Sequence, residues 1–396
     1  MRRERQIELL ERVAGAGHRL EGLQADACVT NEAAAYTDPA RFAEEMRVLF
    51  REGPVFVGFS TELANPGDHR ALRIDGVPVV VVRQADGGLR ALVNMCRHRG
   101  ASLVEPVGDG KALAAFSCPY HAWTYELDGR LRARPAAAGA FDDVVDDCAM
   151  RPLSVGEAYG LIFVQVDGSP GDAETVDVDA VNVDEVLAGM QDDLGAFGLG
   201  DYVPIASRTN TWKMNWKLFF DTFTESYHIR TLHRDSIAPM FNSDTVISER
   251  YGRNVLAVGL RRNVHEEFDK PRDQWSLLPY GTIQYLLAPN AIIVHQLDHV
   301  EVWRAEPLDV DTTICTTTVF APQPPRSEGQ RGYFEKNLDL LVGVTDSEDF
   351  PLMEQIHANL ASGAMPEVVY GRNEPPLILF HQAIDEALTS SRTGTE

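Results

Sequence analysis

From Val55 the chain turns to short β-branched runs, Val55-Phe56-Val57, Pro78–Val82 and Leu89–Val93, separated by Asp75-Gly76 and Asp86-Gly87-Gly88. Such runs between Gly- and Asp-rich breaks predict antiparallel strands. Further strands are expected over 114–117, 124–126 and 160–166, with Asp128-Gly129 as a hairpin turn. Ahead of this region the period is helical: Ile7, Leu10 and Val13 form one stripe, and Phe42, Met46, Leu49 and Phe50 form another within 34–52. Residues 167–195 are acidic and turn-rich, then carry a short helical pattern through Leu187, Met190 and Leu194. A strand is expected from Tyr202 to Thr211, followed by a helix in which Leu218, Phe219, Phe223 and Tyr227 recur on one face. Strands return over 244–249, 255–260, 281–288, 291–295 and 312–320, with Pro289-Asn290 as a turn. Two helices follow, one through Phe334, Leu338 and Leu341 and one over 351–360.

The pattern predicts an α+β chain in three parts. Residues 1–45 form a helical segment packing on the last domain, 46–166 an all-β module, and 167–396 an antiparallel sheet flanked by helices. Among 396 residues, 59 are acidic and 36 are Lys or Arg, giving a net charge of −23. That charge disfavours nucleic acid and anionic membrane as partners. No apolar run approaches the ~20 residues of a membrane span, and no secretory h-region follows Met1-Arg2-Arg3. The five cysteines, Cys28, Cys96, Cys118, Cys148 and Cys315, are odd in number and sparse, which points to a reducing cytoplasm.

Two constellations carry chemistry. In the β module, Cys96-Arg97-His98 and Cys118-Pro119-Tyr120-His121 each supply one thiol and one imidazole from a short loop. Two thiolates on one iron and two imidazoles on the other describe a Rieske [2Fe–2S] centre. A structural zinc ion is the alternative for two Cys and two His, but the Cys-x-His spacing and the absence of a histidine-bearing helix argue against it. The second constellation is Glu225, His228 and His233. Glu225 and His228 are spaced to share a helix face, whereas His233, about 140° further round, requires the helix to end or distort first. Two imidazoles and a carboxylate on one side of Fe(II) leave positions for O2 and substrate; the competing reading is two ordinary helix histidines. His265, His295, His299, His357 and His381 have no comparable spacing and are read as structural.

Asn94–Gly100 and Cys118–Trp123 resemble the cluster loops of the Rieske non-haem iron oxygenases, specifically the ring-hydroxylating large (α) subunits. Asn215-Trp216-Lys217, followed by Glu225-x-x-His228-x4-His233, resembles that family's mononuclear iron motif. One departure is Ala122, where many members carry glycine. The resemblance implies a carboxylate ligand at the start of a late helix. Asp349 is the best match, with Glu348 and Asp346 as rival acids and simple capping of the helix near Pro351 as the alternative role.

The resemblance further implies a terminal oxygenase using O2 and electrons that come ultimately from NAD(P)H through a separate reductase or ferredoxin. It would mono- or dihydroxylate an aromatic or other small organic substrate. Oxidative N-demethylation of a quaternary amine is the alternative, since Glu at the position of Glu225 resembles the monooxygenase branch. Family members assemble as trimers, with or without a small β subunit. A carboxylate bridges the two metal centres across their interface, a role that would fall here to Glu225 between His121 and His228. Asp221, one turn earlier, would line the pocket or order the bridge. From another class, a Rieske electron carrier needs neither the long chain after Val166 nor the two-histidine stretch, and a zinc-stabilised binding module would hold no iron.

Overall fold

The computed structural model describes residues 1–16, 23–105, 108–135, 139–141, 143, 148–166, 180–243 and 246–393. The chain divides into two compact units, Met1–Val48 with Leu187–Glu396, and Leu49–Val186. The divisions therefore fall at 48/49 and 186/187, not at the expected 45/46 and 166/167. Residues 180–186 join the β unit because Val181 packs on Gly156, where an added Cβ would stand 2.2 Å from the Val181 carbonyl oxygen.

The first segment holds α1 (Arg3–Gly15), β1 (Val29–Glu32), α2 (Ala34–Thr37) and α3 (Pro39–Glu45). α1 buries Leu9, Leu10 and Val13. The single helix expected over 34–52 is interrupted at Asp38-Pro39. Asp38 is extended and its side chain accepts from the Ala40 N–H, starting α3 afresh with Pro39 in the first turn. A π-helical turn, Met46–Arg51, ends the segment.

The β unit contains β2 (Val55–Phe59), β3 (His69–Ile74), β4 (Val77–Arg83), β5 (Leu89–Val93), β6 (Gly108–Gly110), β7 (Phe116–Ser117), β8 (Thr124–Tyr125), β9 (Leu131–Ala133), β10 (Pro152–Ala158) and β11 (Leu161–Gln165). Seven strands form a sheet in the order β2-β11-β10-β5-β4-β3-β6, and β7-β8-β9 form a small second one. β3 escapes the hydrophobic pattern because Arg70 is buried within it. Its guanidinium is held by Glu62 (2.7 Å) and Asp109 (2.6 Å), partners that only the folded chain supplies.

The other unit continues with α4 (Val183–Leu187, which crosses the division), α5 (Gln191–Gly195), β12 (Val203–Trp212), α6 (Trp216–Thr224) and α7 (Ile229–Leu232). Then come β13 (Ile247–Tyr251), β14 (Asn254–Leu260), β15 (Gly281–Leu287), β16 (Ala291–Gln296), β17 (His299–Asp309) and β18 (Thr312–Ala321). It ends with α8 (Glu328–Val344), α9 (Phe350–Ala361), β19 (Glu367–Tyr370) and α10 (Pro375–Thr393). The sheet is antiparallel in the order β12-β18-β17-β16-β15-β14-β13. Of the strand expected over 244–249, Asp244 and Thr245 lie outside the described residues, and the strand runs from Ile247. β17 was not anticipated. Its residues from His299 to Trp303 are all buried, so the polar members Glu301 and His299 mask a strand that packs on both faces. No helix among the described residues is long and apolar enough to cross a membrane.

Candidate metal centres and substrate cavity

The two cysteine–histidine loops share one hydrogen-bonding scheme. The Cys96 N–H donates to the Ala101 carbonyl and the Gly100 N–H to that of Cys96; the Cys118 N–H donates to Trp123 and the Ala122 N–H to Cys118. Each loop thus closes back on its own cysteine and requires a left-handed residue four positions on. These residues are Gly100 (φ 76°) and Ala122 (φ 56°). A Cβ in that conformation costs about 1–2 kcal/mol, against about 0.5–1 kcal/mol of extra chain entropy for glycine. Ala122→Gly is therefore expected to raise stability by up to about 1 kcal/mol with unchanged visible absorption. A lowered melting temperature would contradict the loop conformation.

The two thiols are buried among Val80, Leu92, Phe116 and Tyr125, while His121 is exposed and His98 half-buried. The Nδ1 atoms of His98 and His121 stand 3.1 Å apart, and Trp123 stacks on His98 at 5.1 Å. Burial, then the neighbouring His121 and Arg99, hold the His98 imidazole below its ordinary pKa. The Tyr125 hydroxyl lies 3.3 Å from the Cys96 sulfur; burial and that contact push its pKa up. Around one tetrahedral zinc, four ligand atoms would crowd within about 4 Å of each other. Among the described residues no three of these four ligand atoms come within 4.8 Å of one another. A two-metal cluster, with sulfurs on its buried side and imidazoles on its open side, fits this spacing.

The second centre is built on α6. Asn215 caps the helix by accepting from the Lys217 N–H and anchors itself through Nδ2 to the Val310 carbonyl. Lys217 is fully buried against Glu45 at 2.5 Å, and Trp216 Nε1 donates to the same carboxylate. Burial lowers the Lys217 pKa and Glu45 pulls it back; removing one member of such a pair typically costs about 3–5 kcal/mol. α6 ends at Thr224, so Glu225 and His228 do not share a helix face as the spacing suggested. Glu225 is extended (φ −137°, ψ 156°) and accepts from the His228 N–H at 3.1 Å, capping the next turn. The same carboxylate takes the His228 Nδ1–H in a short contact. α7 then carries the chain to His233.

Opposite lies the π-helical turn Thr345–Asp349 between α8 and α9, the kind of widened turn found at functional sites. Asp349 makes no capping hydrogen bond to α9. Its Oδ1 is buried, has no hydrogen-bond partner, and lies 3.1 Å from His233 Nε2 and 3.5 Å from His228 Nε2. The three ligand atoms sit within 4.8 Å of one another. Glu348, a rival for ligation, instead accepts from His233 Nδ1 at 2.6 Å and from the Ser236 hydroxyl at 3.0 Å. Asp346 accepts from Asn210. Each imidazole therefore has a carboxylate behind Nδ1, which leaves both Nε2 lone pairs facing Asp349. Burial opposes charge on His233, but Asp349 and Glu348 prevail and its pKa is raised. An orphaned buried carboxylate oxygen and two oriented Nε2 atoms fit a divalent iron.

Asp221 does not line the cavity beside this centre. Its oxygens accept from the Tyr36 hydroxyl (2.5 Å) and His381 Nε2 (2.8 Å), tying α6 to α2 and α10. Tyr370 and Asn31 complete the cluster. Burial and then Asp221 push the Tyr36 pKa well up.

The cavity measures about 370 Å³ and is lined by Glu225, His228, His233 and Asp349 on one side. Its floor is one face of the sheet. Register places Ala257, Gln284, Val294 and Glu301 in one row across β14 to β17. The next row is Gly259, Thr282, Gln296 and His299. Ala257 and Gly259 leave the space that a larger side chain would fill. Glu301 and Trp303 lay on the strand that sequence reasoning missed; the Val300/Val302 alternation against Glu301/Trp303 was the available signal.

A family model described as "Rieske [2Fe-2S] domain" matches residues 53–147, and one described as "Ring hydroxylating alpha subunit (catalytic domain)" matches 199–390. The chain belongs to the Rieske oxygenases, in the ring-hydroxylating α-subunit family. Among its relatives, the carnitine monooxygenase oxygenase subunit of Escherichia coli K12 is 29% identical over 83% of this chain and 83% of its own length. The glycine betaine monooxygenase oxygenase subunit of Chromohalobacter salexigens is 31% identical over 62% of this chain, which spans only 52% of that relative. The fold matches the quaternary ammonium Rieske monooxygenase CntA in complex with L-carnitine at TM-score 0.73, with 23% identity over 90% of this chain and 94% of that one. It also matches naphthalene 1,2-dioxygenase from Rhodococcus sp. at TM-score 0.72, with 18% identity over 98% of each. The family's two cofactors are a Rieske [2Fe–2S] cluster and a mononuclear iron.

Proposed function

We propose that this Rieske oxygenase chain is the terminal oxygenase of a multicomponent system, hydroxylating a small organic substrate with O2 and electrons from a separate reductase or ferredoxin. The observation that carries the reading is the convergence of His228 Nε2, His233 Nε2 and the unpartnered Asp349 oxygen at the wall of a 370 Å³ cavity. Cys96, Cys118, His98 and His121 would hold the cluster, and His228, His233 and Asp349 the iron. When bound, the cluster supplies single electrons and the iron supplies O2 activation.

The protein's own contribution is orientation. Glu225 and Glu348 fix the tautomer of each ligand imidazole by accepting its Nδ1–H. Asp221 acts as a positioning residue, holding α6 against α2 and α10 so that Glu225 and His228 keep their place. The apolar lining supplied by Phe223, Ile237 and Val294 excludes water around the reacting carbon.

We further propose that the chain works as a homotrimer in the cytoplasm, with His121 of one copy meeting Glu225 of the next. In support, His121 is exposed and Tyr227, beside Glu225, is 65% exposed. Oxidative N-demethylation of a quaternary amine is a narrower second reading. It is favoured by Glu rather than Asp at position 225 and by the activities named for the carnitine and glycine betaine relatives.

Glu225→Gln tests this scheme. The amide nearly preserves shape but replaces one acceptor oxygen with a donor NH2, and that end cannot accept from a second imidazole N–H. The expected outcome is full occupancy of both metal centres, an unchanged oligomer, and severely slowed oxidation of a pre-reduced cluster in a single turnover. A wild-type rate would remove Glu225 from the path between the centres. An active monomer would remove the inter-subunit arrangement.

A further inference from the structure

Among the described residues, the cavity lining holds one guanidinium, that of Arg261, with no carboxylate partner. Arg261 follows β14 with the same side-chain parity as Ala257 and Gly259, lines the cavity, and has its guanidinium 5.4 Å from the Phe241 ring. Its Nε is buried without a hydrogen-bond partner, and no carboxylate among the described residues pairs with it. Elsewhere in the chain, Arg250 and Arg272 pair with Glu386 and Glu11.

Sheet geometry explains the isolation. Arg261 stands four residues along the strand and three strands across from Glu301, about 13 Å by 14 Å between Cα positions, beyond the reach of the two side chains. Glu301 is already satisfied: His299 Nε2 lies 3.3 Å from one oxygen and Trp303 Nε1 donates to the other at 3.0 Å. His299 is in turn held by Asp298 at 2.9 Å. The acidic corner of the cavity is internally paired and the basic corner is not. Asn337 Nδ2, also on the lining, is a second buried donor with no acceptor. Buried polar groups left without partners in a binding cavity mark places where a ligand completes the set.

We propose that Arg261 is a carboxylate-binding subsite, so that the substrate is an organic carboxylate whose anionic end is held there while its reacting carbon faces the metal side of the cavity. This rests on the oxygenase reading of the cavity. Burial of Nε beside the Phe241 ring makes the guanidinium a fixed planar donor, suited to the two oxygens of a carboxylate.

The test is calorimetric titration of the metal-loaded protein with four carboxylates and two matched compounds lacking the group. Benzoate and 2-aminobenzoate are set against benzamide, and carnitine and glycine betaine against choline. At least one carboxylate is expected to bind about tenfold or more tighter than its counterpart, the scale of a charge-assisted hydrogen bond. Arg261→Gln is expected to erase that difference with both metal centres still loaded, and Arg261→Lys to retain part of it. If the glutamine variant fails to fold, the lysine variant and the wild-type discrimination still decide. Equal binding of carboxylates and their counterparts overturns the subsite, as does unchanged discrimination in Arg261→Gln. Inorganic phosphate competing as strongly as the best carboxylate also overturns it, by making the site one for inorganic anions. Product analysis with a surrogate reductase separates the two readings. Oxygenation of uncharged compounds alone sinks the subsite and leaves the oxygenase standing. Arg261-dependent carboxylate binding without any oxygenated product does the reverse.

Discussion

Replacing Asp349 with alanine is expected to remove the mononuclear iron and all product formation while the brown [2Fe–2S] absorption survives. The carboxylate is the only anion among the three proposed ligands, and its Oδ1 is engaged by no hydrogen bond. Two neutral imidazoles remain, and loss of even an outer partner of a metal ligand typically costs about 10–100-fold in affinity or activity; loss of the anionic ligand itself is expected to exceed that. The effect should be local, because Asp349 makes no capping hydrogen bond and α9 keeps its own backbone pattern. Glu348→Ala provides the contrast. It removes the acceptor behind His233 Nδ1, so iron is expected to bind more weakly but still at measurable occupancy. Iron quantification alongside the visible spectrum checks both. Retention of iron and activity in Asp349→Ala, with loss of both in Glu348→Ala, would move the ligand by one residue.

Cys118→Ser is expected to abolish the [2Fe–2S] absorption and, with it, reductase-dependent turnover, while iron still binds at His228, His233 and Asp349. A serine hydroxyl is not ionised at neutral pH and replaces a thiolate poorly. Cys118 is buried among Leu92, Phe116 and Tyr125, and its loop is fixed by the bond from its N–H to Trp123 and from Ala122 back to its carbonyl. Acid-labile sulfide and the visible spectrum read the outcome. An unchanged spectrum would sink the assignment of Cys118, and zinc in place of iron in the wild-type protein would sink the cluster itself.

Close spacing in the chain was enough for the chemistry whose partners lie within a few residues of each other. Cys96 with His98, Cys118 with His121, and His228 with His233 are each set by one loop or one turn, so their types and intervals suggested two iron sites, against zinc and ordinary-histidine alternatives, before any fold was known. The antiparallel β texture after Val55 was legible for the same reason, since alternation and turns act over single strands. Where a helix stops is less local. The spacing put Glu225 and His228 on one face, but α6 breaks at Thr224 because the Glu225 side chain caps the following turn and holds the His228 ring as well.

What required the tertiary structure is everything assembled across distance. Asp349, Glu348 and Asp346 are equivalent acids on paper. The π-helical turn separates them, aiming Asp349 at both Nε2 atoms and Glu348 at one Nδ1. Asp221 looked like a cavity residue and is instead bonded to Tyr36 and His381, more than 150 residues away on either side. Arg70 and Arg261 have the same side chain. One is neutralised by Glu62 and Asp109 and the other is left facing a cavity, a difference made only by which strands become neighbours. The physical reason is the range of the forces involved. Backbone preference and metal-ligand spacing act along the chain, whereas pairing of buried charges and the shape of a cavity depend on sheet register.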